Sequence, residues 1–306
     1  MRVRLLGTAA GGGFPQWNCN CANCRGVRSG TVRAQPRTQS CVALSVDDRH
    51  WLLLNASPDV RMQIETFPPL LPPSDTMRGT SVEAIFLTDA DLDHTLGLLL
   101  LREGPRLTIY DAPPVREALT SGLAFTPALE CYCSVEWREP STELAQFLYA
   151  DGSPSGLSYA VFPVAGKPPR YLERRAMPQT GDRVGYRFVD EKTGGRLIFL
   201  PGLAFLDETM KAPLLDCDAL LLDGTFWSEY EMQEMHVGRT SATQMGHLPV
   251  GGPHGSLQQI APLSIAHKVY VHINNTNPML REDSPEHAAV KEAGIGIGWD
   301  GLELAL

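Results

Sequence analysis

Three short apolar runs constrain this chain more than any other feature. Residues 84–87 (AIFL), 219–222 (ALLL) and 269–271 (VYV) end directly in TDADLDH, DGTFW and HINNTNP. Apolar runs this short, bounded by polar turns, read as buried strands. Segments with helical spacing alternate with strands in both halves, and strands dominate the first third. That order predicts an α/β fold with sheets sandwiched between helices. Loops at the C-terminal ends of strands usually build the sites of such folds. The three polar clusters are therefore the first candidates for function.

The remaining elements fit the same frame. Residues 2–6 read as a strand entering a Gly-rich loop, and 41–48 with 50–57 read as a hairpin. Helical spacing over 58–67 is stopped by FPPLLPPSD, and a helix over 95–104 ends at Gly104. Residues 106–112 read as a strand and 113–123 as a helix with proline at its start. The stretch 130–185 is less regular, with strands at 157–166 and 183–190. Strands at 196–204 and 268–274, and helices at 256–265 and 284–294, complete the pattern.

The 306 residues carry a net charge of -9 without a basic stripe, which argues against nucleic acid as a partner. The longest apolar runs are too short to span a bilayer. The first residues show no export signal, so a cytoplasmic location is expected. Three of seven cysteines, Cys19, Cys21 and Cys24, fall within six residues. That spacing suits one Zn²⁺ ion in a reducing compartment better than a disulfide framework. The fourth ligand stays open: Cys41, a histidine or an amide oxygen could serve. Cys131 and Cys133 would share one face of a strand, although two cysteines alone more often simply pack.

Asp89, Asp91 and Asp93 precede His94 at a strand-to-helix junction. Acids at a helix start suit its dipole and cap its N–H groups. That accounts for one of them, not for three and a histidine, so a metal or catalytic role is expected. His272 ends the third strand. Asp223 and His247 sit just beyond predicted elements, and a carboxylate orienting an imidazole prepares a general acid or base.

At LTDADLDHTLGL the sequence resembles the metallo-β-lactamase superfamily, whose signature at this junction is H-x-H-x-D-H. Asp89 and Asp91 occupy the two early histidine positions, while Asp93 and His94 fit the last two. LLLNASPDV, DGTF and GHLP resemble the tRNA 3′-processing nuclease and phosphodiesterase branch. That likeness implies an Asp223–His247 dyad and makes His272 the final metal histidine. GTAAGGGFPQWNCNCANC, TDADLDHTLGLLLLREG, MGHLP and VHINNTNP together resemble the PqqB family of pyrroloquinoline quinone (PQQ) biosynthesis, over essentially the whole chain. The resemblance implies one domain, 1–306, built as a four-layer αββα sandwich.

The departures from the hydrolase pattern are informative. No histidine lies between His94 and His236, and Pro201-Gly202 takes the place of the bridging aspartate. A two-zinc hydrolase is therefore not expected. Asp93, His94 and His272 remain, two histidines and a carboxylate, a set that suits non-haem Fe(II) with open positions for O₂ and substrate but would also bind Zn²⁺, so ligand type alone does not choose the metal. The resemblance implies an iron-dependent hydroxylase acting on the tyrosine ring of a crosslinked Glu–Tyr precursor cut from PqqA. Asp89 and Asp91 would take the phenol proton or hold an amino group, and Asp223 and His247 would move protons. Ser57, Arg239, Asn274 and Asn275 are candidates for substrate carboxylates and amides. Asn275 also stands where that branch places the fourth ligand of its structural zinc.

The expected partners are a small amino-acid-derived substrate and other PQQ biosynthesis proteins, and a homodimer is left open. The rival readings are a non-catalytic carrier that binds PQQ or its precursor and aids its release or transport, and a one-metal hydrolase.

Overall fold

The computed structural model describes residues 1–104 and 106–306. Its strands are β1 (Arg2–Gly7), β2 (Cys41–Ser45), β3 (Trp51–Leu54), β4 (Val82–Phe86), β5 (Arg106–Tyr110), β6 (Ser134–Arg138) and β7 (Ala145–Leu148), then β8 (Pro154–Val164), β9 (Arg183–Asp190), β10 (Arg196–Leu200), β11 (Ala219–Asp223), β12 (His267–Val271), β13 (Gly296–Ile297) and β14 (Glu303–Ala305). They form two seven-stranded mixed sheets, ordered β14-β1-β2-β3-β4-β5-β6 and β13-β12-β11-β10-β9-β8-β7. Helices flank the sheets, giving the α/β metallo-β-lactamase fold expected from the sequence. No helix among the described residues is long and apolar enough to cross a membrane.

The chain divides into two compact units. The first comprises Met1–Leu6, Cys41–Leu197 and Gly301–Leu306; the second comprises Gly7–Ser40 and Ile198–Asp300.

In the first unit β2 and β3 form the expected antiparallel hairpin, and β3, β4, β5 and β6 run parallel. Every residue of β2 and β3 is buried, as befits central strands covered on both faces. The core is aromatic. Phe86 of β4 stacks on Tyr110 at 4.4 Å and meets Tyr159, Tyr186 and Phe188 of β8 and β9 edge-on at 5.2–5.3 Å. Such edge-to-face pairs add to the burial of the rings themselves. The Tyr186 hydroxyl donates to the Leu87 carbonyl at 2.9 Å, and Val184 N–H donates to the Thr88 carbonyl at 2.8 Å. The start of β9 thus anchors the loop that opens TDADLDH.

In the second unit β11, β12 and β13 are parallel, with Asp223 opposite Val271. The N-terminal segment joins them: Ile273 donates to the Thr8 carbonyl and Ala10 to that of Ile273, both at 2.9 Å.

Several boundaries differ from the sequence reading. β6 and β7 arise in the irregular stretch, where short, partly exposed edge strands leave little hydrophobic pattern. Cys131 and Tyr132 follow the helix Phe125–Glu130 in a turn, so the strand geometry assumed for Cys131 and Cys133 does not apply. The helix over 95–104 is two short pieces, Leu92–Thr95 and Gly97–Leu100. The helix over 256–265 stops at Ile260, two residues before Pro262, which has no N–H to continue the helical hydrogen bonds.

Candidate metal centres

The loop after β4 is held from two sides within the first unit. Asn55, at φ +64° just past β3, donates its side-chain amide to the Thr88 hydroxyl and accepts Thr88 N–H, both at 2.9 Å. Ala56 N–H donates to the His94 carbonyl at 2.8 Å. His94 is 3% exposed, and its Nδ1 lies 2.8 and 2.9 Å from the two oxygens of Asp89. A neutral ring donating from Nδ1 carries its lone pair on Nε2, as a metal ligand requires. That Nε2 is 4.0 Å from Asp93 Oδ2, within the span of two ligands on one ion.

The electrostatics follow from the packing. Burial opposes the charge on His94, but Asp89 and Asp93 outweigh it and raise His94 to about 9, so a metal at Nε2 would displace a proton there. Burial likewise works against Asp89, yet His94 and Arg183 hold it well below the usual carboxylate range. Asp91 is pushed up to about 6 by burial and by the charge on Asp89, despite Arg183 at 3.4 Å. Asp91 makes no side-chain cap to the helix that follows it, so capping does not account for its position.

In the second unit the parallel register brings the ends of β11 and β12 together. The Asp223 carboxylate accepts His247 Nδ1 at 2.7 Å, Leu203 N–H at 2.8 Å and Thr225 N–H at 3.0 Å. The charge of His247 holds Asp223 below its ordinary range although burial opposes ionisation. Thr225 Oγ1 is 2.6 Å from Asp223 Oδ1 and 2.8 Å from His272 Nδ1. The hydroxyl has one proton, and the carboxylate is the stronger acceptor. Thr225 therefore receives Nδ1–H from His272, and the His272 lone pair falls on Nε2. Ligand atoms of Asp223, His247 and His272 all lie within 4.8 Å of one another, and the two imidazoles stack at 5.4 Å.

The same unit gathers the three thiols. Sγ atoms of Cys19, Cys21 and Cys24 lie within 4.8 Å of one another. Backbone N–H groups point at them: Cys21 N to Cys19 at 3.4 Å, Cys24 N to Cys21 at 3.5 Å and Gln16 N to Cys24 at 3.4 Å. The Asn275 amide faces all three sulphurs at 3.2, 3.6 and 3.3 Å. Burial pushes Cys24 up to about 12, whereas the N–H donors overcome burial and lower Cys19. Three cysteine sulphurs close enough to share one ion fit Zn²⁺ as its thiolate ligands. Asn23 supports the arrangement by donating to the carbonyls of Asn275 and Asn277 at 3.1 and 3.0 Å.

A profile of the beta-lactamase superfamily domain matches residues 50–273. The coenzyme PQQ synthesis protein B of Pseudomonas putida is 43% identical over 307 residues, and the alignment covers 100% of both chains. The protein of the same description from an Azoarcus species is also 43% identical, over 308 residues and 100% of both chains. The chain belongs to the PqqB family. The crystal structure of Zn²⁺-bound PqqB from Methylobacterium extorquens matches it with a TM-score of 0.90 at 39% identity, covering 100% of both chains. A diphosphatase of the PhnP family, at 19% identity and a TM-score of 0.66 over 100% of this chain and 97% of its own, shares the fold.

Membership in the PqqB family places the chain in PQQ biosynthesis, with other pathway proteins and a small-molecule substrate. Within that setting the structure changes several expected roles. Asp89 is not a spare base: its oxygens are taken by His94, the Thr88 hydroxyl and Asp91 N–H, which makes it the group that orients His94. Ser57 is fully buried, donates to Gln63 at 2.9 Å and accepts Asp59 N–H at 3.2 Å, so its hydroxyl serves the fold. Asn274 is turned inward onto Thr276 and Met232, and Asn275 onto the thiols. Arg239 lies exposed in the loop after residue 235, its carbonyl accepting from Gln233. Cys41 donates to the Asn55 carbonyl at 3.2 Å. Sequence reasoning missed Thr225 and Asn55. Thr225 lies in DGTF two residues past Asp223, and Asn55 directly follows β3 in LLLNASPDV; those motifs are the signal that could have found them.

Proposed function

We propose that this member of the PqqB family is an iron- and O₂-dependent hydroxylase of the tyrosine ring in the crosslinked Glu–Tyr precursor derived from PqqA. Asp93, His94 and His272 would hold the iron. The observation that carries this reading is the matched preparation of the two histidines. Asp89 takes Nδ1–H of His94 and Thr225 takes Nδ1–H of His272, so both present Nε2. With Asp93 they would make the two-histidine, one-carboxylate set that non-haem Fe(II) enzymes use. Bound iron would supply the activation of O₂ for ring hydroxylation.

The chain's own residues supply proton handling. Asp91, half-buried and raised to about 6, would accept the proton of a phenol or hold a substrate ammonium. His247 keeps its Nδ1 proton on Asp223, which leaves Nε2 as the basic nitrogen. Cys19, Cys21, Cys24 and Asn275 would hold a structural zinc, a separate role from the iron. The rival is a carrier for PQQ or its precursor, which would need no redox chemistry at this site.

O₂ uptake by anaerobically purified, Fe(II)-loaded protein decides between them. Supplied with a two-electron reductant such as ascorbate, so that the second oxygen atom leaves as water, the hydroxylase consumes O₂ in proportion to added precursor and loses that uptake in His94→Ala and His272→Ala. Precursor binding that is equally tight with and without iron, and no O₂ uptake, would establish the carrier and remove the hydroxylase.

A further inference from the structure

The second unit carries a cationic cavity of about 450 Å³ that none of Asp223, His247 and His272 lines. Its walls come from the irregular segment bearing Arg33 and Arg37, from Lys291 of the helix Pro285–Glu292, and from Ile297 of β13 with Trp299 two residues on. Arg37 is 8% exposed, and its buried Nε and Nη1 find no hydrogen-bond partner among the described residues. Buried guanidinium N–H groups without acceptors are costly, because their hydration is lost and nothing replaces it.

The nearby carboxylates do not solve this. Asp300 accepts the Thr8 hydroxyl at 2.8 Å, Thr38 N–H at 2.6 Å and the Thr38 hydroxyl at 2.8 Å. Glu282 pairs with Arg33 at 3.5 Å. Three cations thus face one carboxylate, Glu282, across the cavity. The opposite character is present too: Ile297 is buried, and the indole of Trp299 is 43% exposed. A site with a buried guanidinium and two exposed cations on one side and an aromatic surface on the other selects for an anion attached to a flat ring.

We propose that this cavity binds a small aromatic carboxylate, with the carboxylate on Arg37 and the ring against Trp299. Guanidinium matches carboxylate in geometry as well as charge, and Lys291 and Arg33 raise the local anion concentration. Free phosphate would use the charge and leave the indole without a partner.

Isothermal titration of the full chain with isophthalate and, separately, inorganic phosphate tests the assignment. The His94→Ala background is used, so the result does not depend on iron or on hydroxylase activity. One isophthalate per chain is expected. Arg37→Lys should weaken it roughly tenfold by losing the planar donors. Trp299→Ala, at an exposed position, should weaken it about three- to tenfold. Thermal melts of each variant check that it folds, and if Arg37→Lys does not, Trp299→Ala and Lys291→Ala carry the test. Phosphate binding as tight as isophthalate, isophthalate binding unchanged in the folded variants, or no binding at millimolar concentration would overturn the proposal.

Discussion

Glu231 is buried at 3% exposure, yet it accepts Trp227 N–H at 2.6 Å and the Thr276 hydroxyl. Burial outweighs those donors and pushes its carboxyl from 4.5 up to about 7. The sign follows from linkage. Below the unfolded value both states hold the proton and stability is complete. As pH rises through the window from about 4.5 to about 7, the unfolded chain ionises first, so stability falls. Urea melts should show Glu231→Gln losing less stability than the parent between pH 5 and 8, by roughly 1–3 kcal/mol. Identical slopes would mean that Glu231 ionises normally. Thr225→Val tests a different residue. It removes the oxygen that receives Nδ1–H from His272 at 2.8 Å. Metal titration should find about 10- to 100-fold weaker binding at the site that includes His272, with little change in melting temperature. Equal affinity would show that Thr225 does not set the ring. The sequence marks His94 and His272 by their place after apolar strands. It does not mark Asp89 as the partner of a histidine five residues on, because that pairing depends on how the loop curls.

The elements that position His94 meet at one close approach. Gly97 N–H donates to the Ala56 carbonyl at 2.9 Å, and Ala56 N–H donates to the His94 carbonyl at 2.8 Å. A Cβ on Gly97 would stand 2.3 Å from the Ser57 carbonyl oxygen and 2.6 Å from that of Ala56. Both obstacles are backbone, which cannot rotate away. Gly97→Ala should therefore cost about 2–4 kcal/mol in chemical denaturation, despite alanine's better helix propensity. A neutral or stabilising effect would contradict that approach. The strands leading to the sites were legible for the same reason that they are central. Burial on both faces makes β3, the second half of β4 (Ala84–Phe86) and residues 219–222 of β11 continuous apolar runs. β6 and β7 were not legible, since edge strands with exposed residues carry no such run. The Asn-rich turn after β12 was visible as composition, but its use was not. Asn277 bridges to the Gly224 carbonyl at 3.0 Å and Asn275 turns to the thiols, pairings made between distant segments.

Across the whole molecule, the thiol cluster joins parts of the chain that local sequence cannot hold together. Cys19, Cys21 and Cys24 lie more than 250 positions from Asn275, yet they meet it within the second unit. The helix that follows them, Ala22–Ser29, is only eight residues long, and Cys21 is its cap. A helix this short is marginal without tertiary support. Zinc on the thiols would supply that support, because binding energy at a site absent from the unfolded chain is folding energy. Chelation should thus act unevenly. Hydrogen exchange after zinc removal should rise first in residues 16–30 and in the turn 274–277, where the donors to sulphur lie. Strands β3 and β4, in the first unit with their fully buried aromatic core, should keep their protection. Cys24→Ser should reproduce the pattern without chelator and lower the melting temperature by several degrees, as expected when a few kcal/mol of folding energy are lost. Uniform loss of protection across both units would show that zinc supports global stability rather than this one junction. Unchanged exchange at residues 16–30 would show that the thiols do not hold a structural ion.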